Sequence, residues 1–287
     1  MTVWDRIWNH RSPLDRVLLL SIVALAFNTH GEPLPLVAYL MVLGAGALQP
    51  ALLRHWGLWA AIVVVQGGFQ VVFWEGVDDH VVVGTYWALV VGLGLLIGHP
   101  ERTMGLSARW LIGLVFVFAA GWKLASPEFR DGTFFSLYLV ADPRFRLLAD
   151  VVGGVEAATF EGNRRLIGSL YEVGQPMLSV TLRLGSRLRW LAMAMTAWGI
   201  FIESLTALAW LLPLRGARRN LRHALLFVFC ATTYGLVAIT GFGTILLVMG
   251  MATVDPRSRW RGAYALGVVA LALWTPLWRV VVLGEMI

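Results

Sequence analysis

The sequence predicts an all-α fold, a polytopic transmembrane helical bundle of about eight or nine spans. Three observations predict it. Several apolar runs approach the roughly 20 residues that a helix needs to cross hydrocarbon. Only 14% of the 287 residues are charged against 58% hydrophobic, and the mean hydropathy is +0.72; a soluble domain of this length carries far more charge. Basic and acidic turns also alternate along the first half. Arginine marks the N-terminus, Arg54 and the segment from Arg102 to Arg109, whereas acid marks Glu32 and Asp78-Asp79. Arginine accumulates in loops held on the cytoplasmic side, which places the N-terminus there.

The elements follow from runs and breakers. The first run, residues 16–28, is preceded by Asp5, Arg6, Arg11, Pro13 and Asp15 and followed by no small-residue cleavage pattern, so it reads as a retained span. The second covers 34–53 and the third 57–74. Between the third and the fourth, 81–98, lies the acidic turn Glu75-Gly76-Val77-Asp78-Asp79-His80. The fifth, 110–125, follows His99-Pro100 and two arginines, Arg102 and Arg109. Residues 126–188 are mixed. Asp142-Pro143, Gly153-Gly154, Gly162-Asn163 and Gly174-Gln175-Pro176 are turn signals, while Phe134, Phe135, Leu137, Tyr138 and Leu139 are too apolar for a free loop. Short helices lying on the outer membrane surface are expected there. The sixth span covers 190–214. The apolar stretch 223–253 is longer than one crossing needs; it reads as one tilted helix or, preferably, two that turn at Gly241-Phe242-Gly243. The last span, 262–283, contains Pro276, which predicts a kink. No internal repeat and no soluble domain are expected, so residues 1–287 form a single transmembrane domain.

Composition also excludes classes of function. The net charge of +6 comes without the basic-aromatic interleaving of a single-strand binder, so no nucleic-acid partner is expected. The single cysteine, Cys230, excludes an intrachain disulfide and a multi-cysteine metal site. Asp78, Asp79 and His80 are contiguous and cannot easily converge on one ion, so no metal is expected. Neither a phosphate loop nor a nucleophile elbow is present.

The chemistry centres on Lys123, the only lysine among 23 basic residues. Arginine keeps its proton, whereas a buried lysine gives it up readily. Lys123 reads either as a snorkelling interfacial side chain or as a desolvated amine able to take a proton from a weak acid such as a phenol or hydroquinone. With the N-terminus inside, Lys123 and the Asp78–His80 turn share the outer face. His80 reads as a solvated turn residue or as an imidazole oriented by a carboxylate. Glu203 is the one acid well inside a predicted span, where a charge usually faces the bundle interior. A histidine or arginine of another helix is its expected partner.

These segments resemble a known family. The stretch from Trp74 to Gly84, with His80 closing the turn, is similar to the "Asn-Asn-His" turn of vitamin K-dependent gamma-carboxylases and of bacterial relatives with the horizontally transferred transmembrane domain. Ala120-Gly121-Trp122-Lys123-Leu124, then Phe129-Arg130-Asp131-Gly132, is similar to the family's "Ala-Gly-x-x-Lys-Leu … Trp-x-x-Gly" signature. The resemblance covers residues 57–132. It departs at Asp78-Asp79, at Phe129 and in the spacing of Lys123 from Gly121. It implies a membrane core that binds a reduced quinone, of the vitamin K type or menaquinol. Lys123 would be the base, His80 the second polar group, and Asp79, Trp122 and Glu203 cofactor contacts. It also implies a bacterial inner-membrane location.

A second reading is a non-catalytic accessory or scaffold subunit of a larger membrane complex, in contact with lipids and other subunits. A third, transport, rests on Glu203 and the glycines from Gly235 to Gly250, and lacks an inverted repeat.

Overall fold

The computed structural model describes residues 11–29, 33–76, 79–169, 182, 185–214, 216–236 and 240–278. All regular structure among them is helical. Helix α1 (Pro13–Ala26) opens on a capping box: the Ser12 hydroxyl accepts from the Asp15 amide and the Asp15 carboxylate accepts from Ser12, with Pro13 at the first helical position. Asp15 also receives Arg54 in a two-pronged ion pair at 2.7 and 2.8 Å. This ties the start of α1 to the end of the next helical pair.

That pair departs from the single predicted span. Helix α2 (Pro33–Leu48) stops, and α3 (Pro50–Leu53) restarts after Gln49 at φ −129°, ψ 90°. Pro50 forces the residue before it out of helical geometry and supplies no N–H, which breaks the run. Helices α4 (Trp56–Val72) and α5 (Asp79–Leu96) form an antiparallel hairpin. A polar seam joins them: Gln70 donates to Thr85 at 2.6 Å, and Thr85 donates to Gln66 at 3.1 Å. Trp87 on α5 donates to Ser21 on α1 at 2.9 Å, fixing the hairpin to the core.

Helix α6 (Pro100–Ala125) begins ten residues earlier than the predicted run. Arg102 and Arg109, expected in a loop, are helical because Pro100 suits the first position and arginine and glutamate are good helix formers. Short helices α7 (Pro127–Arg130), α8 (Thr133–Ala141), α9 (Arg146–Val151) and α10 (Ala157–Ser169) follow, as expected for this region. Gly162-Asn163, read as a turn, lies inside α10, where Asn163 is buried. Leu139, Phe145, Ala149 and Phe160 from this group close a second, smaller core against Leu188 and Ala192 of α11 (Ser186–Leu211).

The long apolar stretch is two helices, α12 (Arg219–Tyr234) and α13 (Thr240–Ala252). The break comes at Gly235, not at Gly241-Phe242-Gly243, which lie in the first turn of α13. Those glycines serve close approach instead. A Cβ at Gly241 would stand 2.8 Å from the Phe27 carbonyl oxygen, and one at Gly250 would stand 2.6 Å from the Tyr264 ring. Helix α13 is apolar on all sides and buried along its length, and it packs on α1, α6 and α14 (Arg259–Trp278). With α1, it forms the centre of the molecule. Residues 279–283 of the last predicted span lie outside the described residues.

Among the described residues, two helices, α6 and α11, are long and apolar enough to cross a membrane; the apolar segments in α2, α4, α5 and α13 are shorter.

Candidate functional site

Helices α6 and α11 pack antiparallel, and two features set their register. Near the start of α6, Arg109 donates to the carbonyl oxygens of Trp210, Leu211 and Leu212 at 3.0, 3.0 and 3.1 Å. These carbonyls belong to the last turn of α11 and the residue beyond it, where helical partners run out. One turn further along α6, Gly113 offers no side chain where Leu211 presses in: a Cβ there would meet Leu211 Cδ2 at 2.5 Å.

This register carries Lys123, in the last turn of α6, to Glu203. Side chains lean toward the N-terminus of their own helix. In an antiparallel pair the two lean toward each other, so residues offset in depth can meet. Lys123 Nζ donates to both carboxylate oxygens of Glu203, at 2.8 and 2.7 Å. The lysine side chain keeps 18% of its surface exposed and the glutamate 9%. The ammonium thus sits at a rim, and the carboxylate lies beneath it. Glu203 was expected to face a histidine or arginine; its partner is the lysine. The amine, in turn, is not alone in an apolar pocket but is neutralised by a carboxylate.

An aromatic wall stands beside the pair. The Phe129 ring centroid is 5.4 Å from Lys123 Nζ. Phe129 stacks on Phe134 at 4.0 Å, and Phe134 contacts Phe135 and Tyr138. These rings come from α7, which packs on the end of α6, and from α8, which starts after the positive φ of Gly132 and packs on α7 and α11. Phe129 is also the position where the chain departs from the resembled signature.

The other predicted residues are placed as follows. His80, in the first turn of α5, is half-buried, with its ring 6.0 Å from Phe242 of α13. Phe242 lies 6.3 Å from Tyr234 at the end of α12. Trp122 is 72% exposed, turned out of the bundle. Asp78 and the side chain of Asp79 lie outside the described residues. The structure therefore joins Lys123 to Glu203, and sets His80 against Phe242, which in turn neighbours Tyr234.

Tyr234 is a residue that sequence reasoning missed. It is 2% exposed, its hydroxyl has no hydrogen-bond partner among the described residues, and Glu203 is one of its electrostatic neighbours. A buried hydroxyl normally finds a partner. The one available signal was its place just before Gly235, where the apolar stretch breaks. Lys123 and Tyr234 thus share Glu203 as a neighbour, the first by hydrogen bonds and the second electrostatically. Comparison with known proteins adds no assignment: no family model, curated protein or solved structure matches the chain.

Proposed function

We propose that the chain is an integral membrane protein of about eight or nine crossings with a cytoplasmic N-terminus, whose outer half binds a reduced quinone beside Lys123 and Glu203. The crossings are supported by the outer faces of α2, α4 and α6, where Leu48, Val64, Val71 and Phe118 are between 72% and 89% exposed. Apolar side chains in such density on several helices suit lipid rather than water. The single observation that carries the site is the Lys123–Glu203 pair, an ion pair held between the two helices that are long enough to span. An ionisable residue at that depth is retained for a role, and its partner defines the site.

The chemistry available to these residues is proton transfer. Two N–H groups of Lys123 are used by Glu203, which leaves one to donate to a ligand oxygen at the rim. The Phe129 ring, stacked on Phe134, gives the ammonium an apolar, water-poor side. Lys123 contacts the ligand hydroxyl, and Glu203 stores the proton: passing it from ammonium to carboxylate discharges both groups together, with no isolated charge left in a low-dielectric site. The free amine is then the base. A bound hydroquinone would supply a weakly acidic hydroxyl and two electrons. His80, beside Phe242, is the further polar group of that end.

The test is extraction of lipid-soluble cofactors from protein purified in mild detergent. Quinone retained by the wild type and lost from Lys123→Ala and Glu203→Gln supports the reading. Absence of quinone, together with stoichiometric co-purification of other membrane subunits, replaces it with the scaffold reading.

A further inference from the structure

A second site lies at the opposite end of α6, about 30 Å along the helix from Lys123. It is a cleft of about 530 Å³ between the starts of α1, α6 and α12 and the turn from α13 to α14. Five arginines line it: Arg102, Arg109, Arg219, Arg222 and Arg261. Only two carboxylates, Glu101 and Asp255, oppose them. Arg109 is committed to the carbonyls that end α11. Among the described residues, no such set of carbonyls engages the other four.

Arg222 sharpens the point. It is 8% exposed, its guanidinium lies over the Trp210 ring at 5.6 Å, and Arg109 and Arg219 are its like-charged neighbours. Its buried Nε has no hydrogen-bond partner among the described residues, and neither do Nε and one terminal nitrogen of Arg261. Buried guanidinium N–H groups are costly when unmatched and are normally paired. Clustered arginines with unmatched donors around a cleft of ligand size match the geometry of an oxyanion, above all phosphate, which accepts the guanidinium fork through two oxygens. The remaining lining is apolar, with Leu14, Met104, Leu214 and Val254. It would take the start of an acyl chain or glycerol backbone.

We infer that this cleft is an anion site for a phosphate group, presented by an acidic phospholipid or as free phosphate. Basic pockets between membrane helices on the cytoplasmic side hold anionic headgroups in this way.

The experiment measures binding to the purified full chain in neutral detergent with three probes: dioctanoyl phosphatidylglycerol, inorganic phosphate and dioctanoyl phosphatidylcholine. At least one of the two anionic probes is expected to bind about tenfold or more tightly than phosphatidylcholine. The double variant Arg102→Gln/Arg219→Gln is expected to lose about tenfold of that affinity. Both side chains are exposed, so this variant tests the cleft without disturbing the buried Arg222. Preference for phosphatidylglycerol assigns the site to lipid; equal or tighter binding of phosphate assigns it to the free ion. Affinities no better than for phosphatidylcholine, or an unchanged affinity in the folded double variant, overturn the inference.

Discussion

Removing Lys123 should strand a carboxylate. Lys123→Met keeps the length of the stem but leaves Glu203, 9% exposed at its side chain, with no counter-ion. Breaking a buried pair from one side costs about 3–5 kcal/mol. The rim position of the ammonium, still 18% exposed, lets water screen part of the interaction and sets the expectation at the lower end, about 3 kcal/mol. At about 1.4 kcal/mol per decade, that is a shift of about a hundredfold in the folding equilibrium. Glu203→Gln leaves an amide oxygen that still accepts from the ammonium and should lose less, about 1–3 kcal/mol. The double variant Lys123→Met/Glu203→Gln contains no charge to strand and should be more stable than the sum of the singles by about 2 kcal/mol or more. Reversible unfolding of all four proteins in bicelles gives the cycle directly. A coupling energy below about 0.5 kcal/mol, the range of exposed pairs, would refute the claim that this pair is sequestered between α6 and α11.

Further expectations rest on single sites. Gly241→Ala forces a methyl against the Phe27 carbonyl and should destabilise by about 1–3 kcal/mol, whereas Gly121→Ala, with open space around it, should stabilise by about 0.5–1 kcal/mol; equal effects in the same unfolding assay would contradict the close approach of α13 to α1. Tyr234→Phe removes a hydroxyl with no partner and should leave stability unchanged or raise it slightly, while lowering the quinone content of purified protein. A clear loss of stability would mean that the hydroxyl is structurally engaged. Asp131 accepts from the Thr133 amide at 2.9 Å, and this bond holds its carboxyl below its usual 3.8. A depressed carboxyl stabilises in its charged form, so the turn into α8 is fully supported above the ordinary value and loosens as pH falls through the lowered one. Carboxyl NMR titration should give a midpoint under 3.8, and Asp131→Ala should speed amide exchange at the start of α8 at neutral pH. An ordinary midpoint would remove the turn from the account.

Much of this architecture was legible in the residues because local rules set it. Proline and glycine mark most helix ends, and the apolar runs mark the helices between. Where the reading slipped, a local signal had two meanings. The arginines after Pro100 looked like loop because they are charged, yet one of them, Arg109, holds the end of another helix. Gly241 and Gly243 looked like a turn because they are glycines, yet the missing side chains let helices touch. Lys123 stood out by being unique, and Glu203 by its depth. That each is the other's partner was not legible, because it depends on the register of two antiparallel helices 80 residues apart in sequence. The aromatic wall depends likewise on how α8 packs on α7 and α11 after the left-handed turn at Gly132.

The α6–α11 pair is fastened at two points, by Arg109 on the carbonyls that end α11 and by Lys123, in the last turn of α6, on Glu203. A slip of either helix by a single residue, about 1.5 Å, would pull against both fastenings at once. The two therefore act as a stator. Any rocking of the bundle would be carried by their neighbours, with this pair moving as one body.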